Sequence, residues 1–187
     1  MANNKVRIDI QMDAEDKRLL YKAFKTMPKI AQDELRKETQ KMVGHLVQQM
    51  QRAAGTAPGG VSKNIGPGQA ILLSRFIKAN KDRVPSITIG GARRVGVSRK
   101  KTAGSPAPTA SDLLFGAEFG ANAKQGGKGT FPQGGAKFQP YSGKGPNGRG
   151  SKGYFIFPTL RKNQEKIRRD YLETVYRILK KKWGPDR

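Results

Sequence analysis

The chain has 187 residues, no cysteine and a formal net charge of +23, and its 23 glycines and 11 prolines stand against an apolar share of only 35%. That length fits one domain with a modest core, and the missing cysteine excludes a disulfide framework, a thiolate metal site and a cysteine nucleophile. No stretch approaches the ~18 apolar residues that a bilayer span needs, and the positive excess, which grows toward the C-terminal part, favours nucleic acid, an acidic protein surface or an anionic membrane as partner.

Residues 1–12 lack the apolar stretch of a secretory signal, so the expectation is a soluble chain made in the cytoplasm. Residues 5–12, KVRIDIQM, alternate apolar Val6, Ile8, Ile10 and Met12 with polar neighbours, which predicts a half-buried strand. Asp13 is the expected cap of a short helix over 14–26, with Glu15 and Asp16 in its first turn. Leu20, Phe24 and Met27 share one face of it. Pro28 ends that helix and opens a second over about 28–54. There Ala31, Leu35, Met42, Leu46 and Met50 recur at helical spacing. At ~1.5 Å per residue this helix is about 40 Å long, more than a small sheet covers, so part of its stripe must meet another helix or another subunit.

Gly55 and Pro58 close the helix, and QAILLSRFIKAN reads as helix or strand. VPSITIGGA and RRVGVSR are β-branched runs on either side of Gly90 and Gly91, the pattern of a hairpin. SDLLFGAEFGA predicts a short helix capped by Ser111 or Asp112. Residues 121–153 are dominated by glycine and lysine, so burial poorly repays the entropy of ordering them. They read as a long basic insertion, flexible or ordered by a partner. From Pro158 a last helix carries Leu160, Ile167, Tyr171, Val175, Ile178, Leu179 and Trp183 on one stripe. The expected fold is α+β in one domain over 1–187: a small antiparallel or mixed sheet packed with a long N-terminal helix and a C-terminal helix, plus the Gly/Lys-rich arm.

Catalytic chemistry finds few residues to carry it. His45 is the one histidine and sits inside the long helix, with no serine within a turn. One histidine without cysteine gives no zinc set. GKGPNG, over 143–148, matches G-x-G-x-x-G, but glycines and cations flank it where a strand and a helix should. Between Gly91 and Gly153 the acids are Asp112 and Glu118 alone, too few for a glycosidase pair or a metal-dependent nuclease. No catalytic, cofactor or metal residues are assigned.

The cations remain. Arg93, Arg94, Arg99, Lys100 and Lys101 lie on and after a β-like run, and Lys124, Lys128, Lys137, Lys144, Arg149 and Lys152 lie along the arm. With Phe131, Phe138 and Tyr141 interspersed, such a segment tracks phosphates and offers rings to bases. Its other reading is a solvated loop, or an arm ordered against an acidic neighbour. Nothing in it matches a sequence-reading nucleic-acid motif.

Glu118 stands out as the single charge in LLFGAEFGA. Glu118, Phe119 and Gly120, followed at the last helix by Phe155, Phe157, Pro158 and Leu160, resemble the tail-completion or neck family of long-tailed double-stranded DNA bacteriophages. That family carries a Glu-aromatic-Gly element and then a Pro-Phe-x-x-Pro-like segment. The resemblance covers nearly the whole chain, with a longer and more basic spacer from Gly120 to Phe155 and Ala121 in place of a small polar residue.

The resemblance implies a structural virion protein of the neck or tail, made in the host cytoplasm and without enzymatic activity. It implies a homo-oligomeric ring of about six copies, joining connector and tail proteins around passing double-stranded DNA, with no membrane partner. Glu118 would be a structural carboxylate, held by backbone N–H groups or an arginine where sheet meets C-terminal helix, and the arm would reach a neighbouring subunit. The alternatives are a nonspecific nucleic-acid-binding basic protein and an enzyme such as a nuclease.

Overall fold

In a computed structural model the residues described are 5–57, 61–62, 66–67, 69–95, 109–120, 142–145, 148–149 and 152–183. The first strand, β1 (Lys5–Asp9), leads through Ile10 and Met12, both buried, into α1 (Ala14–Thr26) and α2 (Lys29–Thr56). Two-residue strands β2 (Val61–Ser62) and β3 (Gly66–Pro67) pair with each other. The ambiguous stretch after them contains both elements, α3 (Gln69–Ser74) and then β4 (Ile77–Ala79). Strand β5 (Ser86–Gly90) and helix α4 (Ala110–Phe119) come next. The two-residue strands β6 (Lys144–Gly145) and β7 (Gly148–Arg149) precede α5 (Ile156–Trp183).

The main sheet is antiparallel in the order β1-β5-β4, with Ile8 opposite Ile87 and Ile77 opposite Ile89. Alternation along β5 turns Ile87 and Ile89 into the core and leaves Thr88 half-buried on the other face. The expected hairpin across Gly90 and Gly91 is absent: β5 takes its upstream neighbour β4 and the N-terminal β1 as partners. Gly90 and Gly91 have φ of 84° and 127°, left-handed conformations that suit glycine and turn the chain out of the sheet. Ser111 Oγ then accepts from the Gly91 N–H at 2.9 Å, while Arg94 forms one isolated bridge, to Thr109. Ser111 is thereby occupied, and the cap of α4 is Thr109. Its side chain accepts from the Asp112 N–H, and Asp112 accepts from the Thr109 N–H, closing a capping box. Asp13 does flank α1 but makes no side-chain cap bond; its carboxylate pairs with Arg168 on α5.

The stripe of α2 is covered within the chain. Its C-terminal half (Val43, Leu46, Val47, Met50, Ala54) packs with Ile87 and Ile89, with Leu73 of α3, with Leu113 and Leu114 of α4 and with Phe155 and Ile156. Its N-terminal half (Ala31, Leu35) joins Leu20 and Phe24 of α1 and Tyr171, Val175 and Ile178 of α5. The two long helices therefore run antiparallel, and each supplies what the other's stripe lacks. Tyr171 ties α5 to the loop before β5 by donating its hydroxyl to the Arg83 carbonyl at 2.6 Å, and burial raises that phenol well above its ordinary pKa. Of the two partners expected for the long stripe, the structure supplies the helix.

Candidate functional site

Two places gather the residues that the sequence singles out. The first is built around Glu118, in the last turn of α4 and fully buried. Its carboxylate accepts from the backbone N–H groups of Phe155 at 3.2 Å, Ile156 at 2.9 Å and Phe157 at 2.8 Å. An α-helix leaves its first N–H groups without intrahelical acceptors. In α5 the third residue is Pro158, which has no N–H, and the three donors around the helix start all go to Glu118. Burial pushes the Glu118 carboxyl above its ordinary range, against the pull of the donors on Ile156, Phe157, Phe155 and Tyr154.

The rest of the chain closes on this carboxylate. Gly120 ends α4 with φ 77° and returns its N–H to the Gly116 carbonyl. Ser142 donates its N–H to the Phe119 carbonyl at 2.9 Å and accepts the Gly153 N–H on its hydroxyl at 2.9 Å. Ser142 and Gly153, both within the expected arm, are thus held beside Glu118. Arg161 donates to the Lys152 carbonyl in the same place. Phe119 lies 5.1 Å from Phe157 and 6.4 Å from Phe115, ring centre to ring centre, so an aromatic row runs from this clamp out to the exposed Phe115. The carboxylate is buried, and its three bonds tie the end of α4 to the start of α5.

Part of the insertion is ordered structure: Lys144 pairs with Arg149 and Gly145 with Gly148 in the β6–β7 ladder. Lys144, Gly145 and Gly148 of the G-x-G-x-x-G match are thus strand residues paired across a ladder, unlike the strand-to-helix turn that cradles a dinucleotide. Lys124, Lys128 and Lys137 lie outside the described residues, as do Arg99, Lys100 and Lys101.

The second place is an open groove of about 850 Å³ beside β4 and the chain leaving β5. Lys5, Arg75, Lys78, Lys81, Arg93 and Arg94 line it, with no carboxylate among the described lining residues. All six side chains are exposed. Asn80 and Thr88 add polar groups, joined by a 2.9 Å hydrogen bond, and Phe76 adds a half-buried ring. Sequence reasoning found Arg93 and Arg94 but missed the other four. For Lys5 and Lys78 the signal is the period of two, since Lys5 precedes Val6 and Lys78 stands between Ile77 and Ala79, whereas Arg75 and Lys81 lie outside the strands and carry none.

Among the described residues no three His, Asp or Glu side chains gather as a metal set, and no helix is long and apolar enough to cross a membrane. Compared with known proteins, the chain matches no family model, no curated protein and no solved structure.

Proposed function

We propose that this protein is a structural component of a bacteriophage head–tail junction, assembling as a ring that completes the tail and joins it to the head connector around the DNA channel. One observation carries the reading. The Glu-aromatic-Gly element and the aromatic–Pro segment, on which the resemblance rests, meet at a single carboxylate although Glu118 and Phe155 are 37 residues apart. A shared pattern is better founded when its parts serve one physical purpose, here the capping of the last helix by the end of α4.

Because α2 and α5 cover each other, their stripes are not the ring contacts. Those contacts fall to apolar residues left in solvent, Leu19, Tyr21, Ile30, Phe115 and Tyr176, and to the insertion whose base is clasped at Ser142. The positive surface faces acidic neighbours in the ring or the DNA passing through it.

The test is the oligomeric state of the purified protein, by light scattering and electron microscopy, alone and with head-connector and tail-tube proteins. The expected result is a ring with a central hole on the order of 20–40 Å, enough for a duplex whose major groove alone is ~12 Å wide. A monomer at every concentration that ignores both classes of neighbour refutes the reading.

A further inference from the structure

We infer that the groove beside β4 is a binding site for the phosphodiester backbone of nucleic acid, read without regard to sequence. Several charges elsewhere on the surface are paired. Arg7 pairs with Asp9 and Asp82, Arg36 with Asp33, Lys41 with Glu38, Arg168 with Asp13 and Asp16, and Lys181 with Glu34. The six groove cations have no ion-pair or hydrogen-bond partner among the described residues. Their mutual repulsion works against the fold, and a chain of phosphates set along the groove relieves it at every step.

The positions match that ligand. Lys5, Lys78 and Arg93 come from three separate segments, β1, β4 and the chain after β5, so the charges line a concave path and do not cluster at one point. A duplex or single strand offers a regular row of monoanions to such a path, and each neutralised phosphate releases counterions to bulk. Asn80, Thr88 and Gln40 can hydrogen-bond sugar and phosphate oxygens. The half-buried Phe76 is the one ring on the lining, a platform for a base if the strand is single. Charge laid along an open path recognises the backbone, which is the same for every sequence. These are not the cations of the arm: Arg75, Lys78, Lys81 and Lys5 form the site together with Arg93 and Arg94.

The test is fluorescence anisotropy of the full-length protein with a mixed-sequence duplex of about 20 base pairs, and with the corresponding single strand, across a salt series. The groove variant combines Arg75→Gln, Lys78→Gln, Lys81→Gln and Arg93→Gln. Its control removes the same charge from exposed helix positions, through Lys22→Gln, Lys25→Gln, Lys29→Gln and Lys37→Gln. Each lost duplex contact lowers the slope of log affinity on log salt by about 0.9, so the groove variant should lose about 3 to 4 from the slope and at least tenfold in affinity near 0.1 M salt. The control should lose much less. All eight positions are exposed, so both variants are expected to fold, and unchanged circular dichroism checks it. Preference for the duplex or the strand identifies which form of backbone the groove takes. Equal loss in groove variant and control overturns the inference, because net charge would then explain the binding. So does competition by poly-glutamate as effective as that by DNA, which marks the groove as a seat for an acidic protein. A monomer that binds through the groove sinks the ring and leaves this inference standing; a ring whose groove variant binds like the parent does the reverse.

Discussion

Gly153 passes so close to Glu118 that any side chain on it would meet the carboxylate. A Cβ on Gly153 would lie 2.3 Å from Glu118 Oε1 and 3.1 Å from both Phe157 Cβ and Pro158 Cδ. The backbone of Gly153, at φ 78°, is also in the left-handed region. Two independent constraints thus fix glycine there: the conformation and the carboxylate it passes.

Gly153→Ala is therefore expected to destabilise the protein by at least ~2 kcal/mol, from left-handed strain and from displacing the carboxylate. Urea unfolding followed by circular dichroism measures it. The Gly143→Ala variant is the comparison, since Gly143 shares positive φ, at 96°, but meets nothing closer than the Lys152 side chain at 3.7 Å. It should lose about 1 kcal/mol, the conformational cost alone.

Glu118→Ala leaves the N–H groups of Phe155, Ile156 and Phe157 buried without acceptors. A loss of about 3–5 kcal/mol is expected, a large part of the stability of an ordinary domain. Glu118→Gln keeps one good acceptor but turns an NH2 group toward N–H donors, so it should fall between the parent and the alanine variant. If both variants unfold at the parent's urea midpoint, Glu118 does not hold the helix.

The same carboxylate sets a pH dependence whose sign is fixed by its raised pKa. Between the ordinary glutamate value, about 4.3, and the raised one, the folded chain holds a proton that the unfolded chain has released. The stabilisation from this group is complete below the ordinary value and is lost as pH rises through the raised one. The difference in stability between parent and Glu118→Gln should shrink over that rise. A difference that grows with pH would mean that the donors outweigh burial.

Thr39 is fully buried on α2, and its hydroxyl has no hydrogen-bond partner among the described residues. Thr39→Val replaces that hydroxyl with a methyl of similar shape. A gain of about 1 kcal/mol is expected, or roughly 2–4 °C in melting temperature for a chain of this size. Scanning calorimetry decides it.

Local signals in the sequence were strong where one element sufficed. The periodicity of 14–26, with Pro28 behind it, marks α1 at its observed bounds, and Val6 and Ile8 mark β1. Signals failed where a distant partner decided. VPSITIGGA looks like one half of a hairpin and RRVGVSR like the other, but β5 is the central strand and its neighbours are residues 5–9 and 77–79. Ser111 and Asp112 both suit a cap, and the choice fell to Thr109 because Gly91 holds Ser111. At Glu118 the composition marked an unusual carboxylate. Only the fold shows that its partners are backbone donors, with no arginine among its bonded groups. The groove was half legible, since adjacent arginines are visible in a sequence, whereas Lys5, Arg75 and Lys78 become neighbours only through strand pairing and the α3–β4 turn.

The antiparallel pairing of α2 with α5 also bears on the order in which the chain is made. On the ribosome, Ala31 and Leu35 emerge with more than a hundred residues still to come before Tyr171 and Ile178 exist to cover their end of α2. A product broken off before residue 156 leaves that greasy flank bare, the kind of surface that chaperones hold and proteases clear. Burial of that flank thus waits on the last helix.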